Sequence, residues 1–354
     1  MASPGLKSYN TQNERDMVEY CMSLEMTWIF INMCYGADVV DELFFDPDPS
    51  KPNGLSPSVV YQFVQQMIKQ GDEAQKEMGL FLLANATSDS ATLSKSLVAH
   101  TDFCRTLYKL ADAPTVKLEL LKVIIWNVKN LARFELVDDE FLPLTTYICQ
   151  VILQTCTNEQ ILTDALAALS SLTKTESNNR LAIIAQGKTI AILTDTLNRS
   201  LNSNPQHMGQ CCRIICNMLA GPSPDLVIKF LAHDLLGTFN IILAKGIPYH
   251  SREVLWGLSN IACSDQQAVD HLVNHQIFQS VQLHMASTDL SVRREALFAI
   301  SNTITTCHPL KVHGILHTEE GLLRQFLKGL VLISHKDILN LVLDTIEYLG
   351  KTDS

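Results

Sequence analysis

Two short segments of the sequence place an aromatic residue four positions before an asparagine: SREVLWGLSN, residues 251–260, and VRREALFAISN, residues 292–302. An aromatic face can pack on the aliphatic stem of a lysine and attract its ammonium group. An asparagine carboxamide both donates and accepts hydrogen bonds. Residues four apart on a helix lie on one face, so the two side chains can contact the same extended peptide.

This pair recurs along the whole chain. The aromatic (the ring position) and the asparagine (the amide position) are Trp28 and Asn32, Phe81 and Asn85, Trp126 and Asn130, Trp256 and Asn260, and Phe298 and Asn302. Arg213 and Asn217, the degraded copy Ala167 and Ser171, and a last copy with Leu343 and Glu347 complete the series. The steps between amide positions are 53, 45, 41, 46, 43, 42 and 45 residues, and all three tryptophans occupy ring positions.

A period of about 42 residues with helical patterning is typical of armadillo or HEAT repeats. Residues 265–285 have apolar side chains at three- and four-residue spacing with a break at 274–276, and residues 288–305 read as a longer helix capped by Thr288 or Asp289. There is almost no alternating strand pattern. We therefore expect an all-α, right-handed armadillo-repeat superhelix of about eight repeats.

The expected organisation is one elongated domain. Residues 1–20 are a polar N-terminal segment or a partial first repeat, residues 21–350 are the repeat domain, and residues 351–354 are a C-terminal tail. The single long step between copies contains FDPDPSKPNG, residues 45–54, whose prolines and glycine predict an inserted loop.

Composition excludes several functional classes. The net charge of −10 argues against nucleic-acid partners and favours basic ones. The sequence contains neither a signal peptide nor an apolar run long enough for a membrane span. The ten cysteines have no zinc-type CxxC spacing, so we expect reduced thiols that mostly pack in the core as small apolar side chains.

No catalytic constellation can be assembled from local spacing, so we expect no enzyme activity, cofactor or metal. QGKT at 186–189 resembles the end of a phosphate loop, but Ala182 occupies the position of the required glycine. His313 and His317 are one helical turn apart, with Cys307 and His308 nearby. A zinc site is conceivable there, and the alternative is histidines on a helix face and an inter-repeat turn.

Residues 252–305 resemble consecutive armadillo repeats of the importin-alpha family, the adaptors for nuclear localisation signals. The resemblance extends over roughly residues 20–350 and is strongest over 205–305. Arg213, Trp256 and Phe298 reproduce the family's order of an arginine-containing repeat followed by two standard repeats. The resemblance implies a concave groove that holds an extended Lys/Arg-rich peptide during nuclear import, with the protein present in the cytoplasm and the nucleus.

The resemblance also implies two groups of site residues. Its major site corresponds to Trp28, Asn32, Gly36, Phe81, Asn85, Asp89, Trp126 and Asn130. Its minor site corresponds to Arg213, Asn217, Glu253, Trp256, Asn260, Glu295, Phe298 and Asn302. Asp89 matches the family's lysine-binding aspartate, and Glu253 and Glu295 match acidic residues that select basic side chains. Because they follow Arg252 and Arg294, simple surface ion pairs are the alternative for these two glutamates.

The sequence departs from the family in several respects, among them Phe81 and Phe298 in place of tryptophan and the degraded fifth copy. Lys129 lies inside the third copy and would repel a basic peptide if it faced the groove. No threonine lies near Gly36, where Asp38 or Asp41 could substitute. Residues 1–20 contain only Lys7 and Arg15 as basic residues, so we expect the importin-beta-binding segment to be absent. The expected partners are proteins with basic nuclear localisation signals, and the alternative is an armadillo scaffold or a cargo-sequestering decoy without importin-beta-dependent import.

Overall fold

The structure, a computed structural model, describes residues 11–352 apart from residues 35, 52–53, 101, 114, 136, 222, 309–310, 313–321, 323, 325 and 327–335. The chain divides into two compact units. Unit 1 contains residues 1–149 and 158–171, and unit 2 contains residues 150–157 and 172–354.

Unit 1 is built from short helices, longer helices and one small strand pair. Its elements are α1 (Thr11–Met33), α2 (Ala37–Phe44), β1 (Phe45–Pro47), β2 (Leu55–Pro57), α3 (Val59–Gln70), α4 (Glu73–Asp89), α5 (Ala91–His100), α6 (Phe103–Ala111) and α7 (Leu118–Arg133). Helices α8 (Leu142–Thr155) and α9 (Glu159–Thr173) contribute residues to both units.

Unit 2 repeats a pattern of two short helices followed by a longer one. Its helices are α10 (Asn178–Ile184), α11 (Thr189–Ser200), α12 (Pro205–Leu219), α13 (Pro224–Leu231), α14 (Leu235–Ala244), α15 (Pro248–Ser264), α16 (Gln266–Val273), α17 (Ile277–His284), α18 (Leu290–Thr306) and, after a gap, α19 (Lys336–Thr352).

The longer helices hold the repeated residue pairs. Every ring position lies in one of the helices α1, α4, α7, α9, α12, α15, α18 and α19, which we call the ladder helices. A ring position together with its amide position is called a rung, and the rungs of one unit form the ladder of that unit. In unit 1, α1 packs on α4 and α4 on α7; in unit 2, α12, α15, α18 and α19 pack in that order. The fold is therefore the all-α armadillo-type repeat fold that the period predicts.

Local sequence signals explain where the ladder helices begin. The Asp72 side chain accepts from the Gln75 backbone, and the Gln75 side chain accepts from the Asp72 backbone, which forms a capping box at α4. Pro205 and Pro248 occupy the first turns of α12 and α15, where a missing backbone N–H is tolerated. Asp289 caps α18 by accepting from two backbone N–H groups, which confirms the predicted cap.

The inserted stretch 45–54 belongs to a β-hairpin. Strands β1 and β2 pair antiparallel, with Phe45 opposite Pro57 and Pro47 opposite Leu55. Phe45 is buried beside Tyr61 of α3, with ring centroids 5.9 Å apart. The scarcity of strand patterning in the sequence gave no sign of this hairpin, because three-residue strands are too short for alternation to be recognised.

Some sequence predictions fall on residues that the structure does not describe. Residues 1–10, 353 and 354, together with His313 and His317, lie outside the described residues. Residues 11–20 form the first turns of α1, and α19 extends to Thr352. In the described part of the chain, no single helix is long and apolar enough to cross a membrane; the bent pair α13 and α14 would suffice by length and composition alone.

Candidate peptide-binding ladders

The ring positions of unit 1 are accessible on their helices. Trp28 on α1 is 52% exposed, and Phe81 and Trp126 are half-buried. Phe81 and Trp126 meet edge to face, with ring centroids 5.6 Å apart and planes at 81°. None of the three rings is enclosed in its own repeat, so each can contact a ligand.

Within the described part of the chain, the first two amide positions of unit 1 are hydrogen-bonded only to their own helices. The Asn32 amide donates to the Trp28 carbonyl at 2.7 Å, and the Asn85 amide donates to the Phe81 carbonyl at 3.0 Å. A carboxamide has two N–H donors and an oxygen with two lone pairs. Each of these side chains therefore retains capacity for a donor and an acceptor contact with a peptide backbone.

The third amide position is different, because Asn130 is buried. Its amide nitrogen lies 2.8 Å from the Ala84 carbonyl and within 3.2 Å of the Thr87 and Ser88 hydroxyls, all on α4. Asn130 therefore joins α7 to the preceding ladder helix. Its neighbour Asn127 does the same, donating to the Leu80 carbonyl at 2.9 Å.

A carboxylate lies at the C-terminal end of α4, beside the residues that follow α1. Gly36 has φ +89°, a backbone conformation that favours glycine, and its N–H donates to Asp89 at 3.2 Å. Asp89 is exposed at the last residue of α4. Burial, and then the charge of Asp89, raises the pKa of the nearby Cys34 thiol to about 11. Asp89 is thus an exposed anion held by the backbone at Gly36.

The two aspartates near Gly36, Asp38 and Asp41, have different surroundings. Asp41 accepts a 2.5 Å hydrogen bond from the Ser90 hydroxyl, so it joins α2 to the start of α5. Asp38 is exposed in the first turn of α2. Of these two aspartates, Asp38 is the one that remains accessible to a basic ligand.

Two basic residues of α7 are held by neighbouring groups. The Lys129 ammonium lies 2.7 Å from the Asp164 carboxylate of α9, so its charge is paired within unit 1. The Arg133 guanidinium donates to the Ser88 carbonyl and lies 4.6 Å from the Phe134 ring centroid. Lys129 consequently faces a carboxylate rather than standing alone beside the ladder.

In unit 2, arginines of the same chain contact Trp256 and Glu253 of α15. The Arg213 guanidinium lies 5.8 Å from the Trp256 ring centroid and donates to Glu253. Arg252 donates to the same Glu253 oxygen at 2.8 Å. Glu253 is 2% exposed, and its second carboxylate oxygen is buried without a partner in the described residues. The Trp256 face that could receive a lysine thus already holds a cation of the same chain.

The next carboxylate of unit 2 is arranged in the same way. Glu295 is buried and accepts from the Arg294 guanidinium at 2.8 Å. The two glutamates predicted to select basic side chains are therefore ion-paired, as the alternative interpretation expected. They are buried rather than at the surface, which that interpretation did not anticipate.

The amide positions of unit 2 also join neighbouring helices. Asn260 donates to the Cys216 carbonyl at 3.4 Å, and Asn302 donates to the Ser259 carbonyl at 3.3 Å and to its hydroxyl at 2.9 Å. The Asn217 amide donates to the Thr173 hydroxyl at 3.2 Å. Cys216 and Ser259 each come one residue before the preceding amide position, as Ala84 does for Asn130.

This inter-repeat role of asparagine was missed from the sequence. The only signal for it was the step of 42 to 45 residues to the preceding amide position, which places Asn130, Asn260 and Asn302 beside the same point of the preceding ladder helix. Asn217 instead reaches Thr173, two residues after the amide position of α9.

All ten cysteines are free thiols, and seven of them are buried, as expected for mostly core side chains; Cys156 is half-buried, and Cys21 and Cys263 are exposed. Burial raises the pKa of Cys149 and Cys211 to about 12. No metal-binding cluster of histidine, cysteine or carboxylate occurs among the residues that the structure describes.

Comparison with known proteins supports the fold. No family model matches the sequence, and no curated protein matches it. Among solved structures, an engineered protein superposes with a TM-score of 0.72 at 15% identity, covering 91% of this chain and 73% of its own. A designed armadillo repeat protein in complex with the peptide (KR)4 has a TM-score of 0.59 at 17% identity, covering 70% of this chain and 100% of its own.

A third similar structure is a computationally designed armadillo repeat protein for modular peptide recognition. Its TM-score is 0.58 at 16% identity, and the match covers 68% of this chain and 98% of that one. At these identities the likeness concerns the fold alone. Together with the helix order within each unit, it shows that this chain has an armadillo-type repeat fold.

Proposed function

We propose that the unit 1 ladder binds an extended Lys/Arg-rich peptide of the nuclear-localisation-signal type. The observation that carries the proposal is the combination on α1 and α4 of three features: an exposed Trp28 ring, the Asn32 and Asn85 carboxamides, each donating within its own helix, and the exposed Asp89 carboxylate. Rings take the aliphatic stems of lysines, amides take the peptide backbone, and the carboxylate takes an ammonium.

The charge of the unit 1 ladder helices favours a basic ligand. Helices α1, α4 and α7 contain eight acidic and five basic residues. Two of the five, Lys129 and Arg133, are held by Asp164 and Ser88. An approaching cationic peptide therefore meets a net negative surface, which accelerates association and is weakened by salt.

The similar structures support a peptide ligand by analogy. One of them is a designed armadillo protein in complex with (KR)4, a peptide of alternating lysine and arginine. Function cannot be inferred from a shared fold, so this analogy only adds to the argument from the residues.

In a cell, the proposed activity is that of an importin-alpha-type adaptor that moves between cytoplasm and nucleus with its bound cargo. No catalytic step is proposed. The alternative is an armadillo scaffold, or a decoy that sequesters cargo, and the observation that favours it is the occupied Trp256 face of unit 2.

The test is direct binding of a fluorescent Lys-Lys-Lys-Arg-Lys peptide, followed by anisotropy at moderate salt. We expect micromolar or tighter binding by the wild type. Trp28→Ala combined with Asn85→Ala should raise Kd at least tenfold, which corresponds to about 1.4 kcal/mol. Asn130 is unsuitable for this purpose because its loss also breaks the contact between α7 and α4.

The matched control is Val59→Ala, a highly exposed residue at the start of α3 that is outside the ladder. It should leave Kd unchanged. Failure of the wild type to bind would favour the scaffold, and an equal loss in the control would show that the ladder is not the binding surface.

A further inference from the structure

One face of α1 is apolar and is not covered by any residue that the structure describes. Met22, Met26, Ile29 and Met33 follow each other at steps of four, three and four residues, which places them in one stripe along the helix. Their exposed fractions are 55%, 41%, 55% and 46%. We call this stripe the outer face of α1.

The equivalent stripe is covered in the ladder helices α7 and α18. Relative to the ring position, the four residues lie at −6, −2, +1 and +5. On α7 these positions are Leu120, Ile124, Asn127 and Leu131, and on α18 they are Val292, Ala296, Ala299 and Thr303. All eight of these residues are at most 5% exposed.

In both cases the preceding ladder helix of the same unit packs against the helix that bears the stripe. Helix α7 packs on α4, where Asn127 donates to the Leu80 carbonyl, and α18 packs on α15. The repeat geometry itself therefore indicates what fits the outer face of α1: a helix with an apolar stripe of its own, lying along α1.

The charged residues beside the outer face of α1 indicate which side chains such a helix would carry. Glu19 and Glu25 are exposed on opposite sides of the outer face, as expected from 100° per residue. Methionine side chains adapt to differently shaped apolar partners. A helix with leucine-type residues at steps of three and four, flanked by lysine or arginine, would match both the apolar stripe and the acidic borders.

We propose that the outer face of α1 binds an amphipathic, basic-flanked α-helix of a partner protein. This interaction uses neither the rings nor the amides of the ladder, so it is independent of the proposed peptide-binding function. The partner adds one more ladder-like helix to unit 1, in the way that α4 covers α7.

The probe is a fluorescent 21-residue peptide made of three Leu-Ala-Ala-Leu-Lys-Ala-Lys heptads. Two matched peptides carry glutamate in place of lysine, or serine in place of leucine. We expect binding of the leucine–lysine peptide with a rise in helical circular dichroism. The two matched peptides should bind at least tenfold more weakly.

Variants of the protein test the location. Met26→Ser combined with Ile29→Ser should raise Kd for the leucine–lysine peptide at least tenfold. The control is Val59→Ser combined with Leu283→Ser, two highly exposed apolar residues elsewhere, which should change Kd less than twofold. Glu19→Lys with Glu25→Lys should transfer the preference to the leucine–glutamate peptide, a gain that misfolding cannot produce.

Two further measurements separate the alternatives. Trp28→Ala with Asn85→Ala should leave binding of the helical peptide intact, even if the extended basic peptide fails to bind any variant. Sedimentation of the wild type without peptide reports self-association. The proposal is overturned if the leucine–lysine peptide does not bind at 100 µM or so, if the charge-swapped variant gains nothing, or if a second copy of this chain occupies the face.

Discussion

The ladders of the two units share one residue pattern but differ in what surrounds the rings. In unit 1, Trp28 is exposed, and helices α1, α4 and α7 contain more acidic than basic residues. The only basic side chain in the sequence between a unit 1 ring and its asparagine, Lys129, is paired with Asp164. In unit 2, helices α12, α15 and α18 carry four arginines and two glutamates, and both glutamates are buried. Arg213 covers the Trp256 ring. A ring and an asparagine four residues apart therefore define a rung, and the neighbouring charges decide whether that rung is open to a ligand.

The largest effect that this comparison predicts is on the stability of unit 2. Glu253→Ala removes a buried carboxylate that accepts from Arg213 and Arg252. The two guanidiniums then repel each other beside an unfilled space. Because both arginine side chains are more than one third exposed, we expect a loss of about 2–3 kcal/mol, less than for a fully buried pair. Urea denaturation followed by circular dichroism measures it.

The control for Glu253 is Glu140→Ala in unit 1. Glu140 is 64% exposed and pairs with the exposed Arg105, so its loss should change the free energy of unfolding by less than about 0.5 kcal/mol. Equal effects of the two substitutions would contradict the distinction between a buried network and surface pairing.

The second prediction concerns the two roles of asparagine. Asn130→Ala removes a buried amide that joins α7 to α4, and we expect a loss of about 1–3 kcal/mol. Asn32→Ala removes an exposed amide that bonds only within α1, and we expect less than about 0.5 kcal/mol. Thermal and urea denaturation of both variants, compared with the wild type, provide the measurement. Similar losses would mean that the amide positions are equivalent after all.

The fold could be predicted from the sequence because its evidence is periodic. Each repeat buries its apolar residues against its neighbours, so the same spacing must recur, and a period of about 42 with helical patterning indicates the armadillo-type architecture. The β-hairpin from Phe45 to Pro57 could not be predicted, since it is a single non-repeated insertion with three-residue strands.

The candidate site could be predicted only in part. The repeated spacing singles out Trp28 and Asn32, and Asp89 is proposed from the family resemblance. It does not reveal that Arg213 lies over Trp256 or that Lys129 meets Asp164, because these contacts join residues 43 and 35 positions apart on different helices. Side-chain pairing between repeats depends on helix packing, which a linear spacing does not specify.

The third prediction concerns whether the Trp256 ring of unit 2 becomes accessible to a peptide lysine when Arg213 is removed. Arg213→Ala uncovers the Trp256 ring and leaves Glu253 with Arg252 as its remaining cation. A lysine of a basic peptide can then take the vacated face, so we expect binding to unit 2 to tighten about fivefold, or roughly 1 kcal/mol. Calorimetric titration with the Lys-Lys-Lys-Arg-Lys peptide measures the number of peptides bound per chain.

The effect of Arg213→Ala must be compared with that of a variant that also lacks the Trp256 ring. Arg213→Ala with Trp256→Ala lacks both the arginine and the ring, and it should lose whatever affinity the single variant gains. If Arg213→Ala weakens binding instead, then Arg213 contributes to the peptide contact and the difference between the units is smaller than the geometry indicates.

The smallest effect is predicted for Lys129. Lys129→Ser removes the cation that pairs with Asp164 and leaves that carboxylate beside the unit 1 ladder. A basic peptide then meets one more negative charge, so we expect Kd to fall about threefold, and the gain should shrink as salt rises because mobile ions screen the attraction. Lys122→Ser is the matched control, since Lys122 lies on the same helix and only approaches Glu119 at 4.0 Å. Both variants change the net charge equally, so a larger gain for Lys129 isolates the local contribution of Asp164. Equal gains would mean that the peptide responds to overall charge and not to this rung.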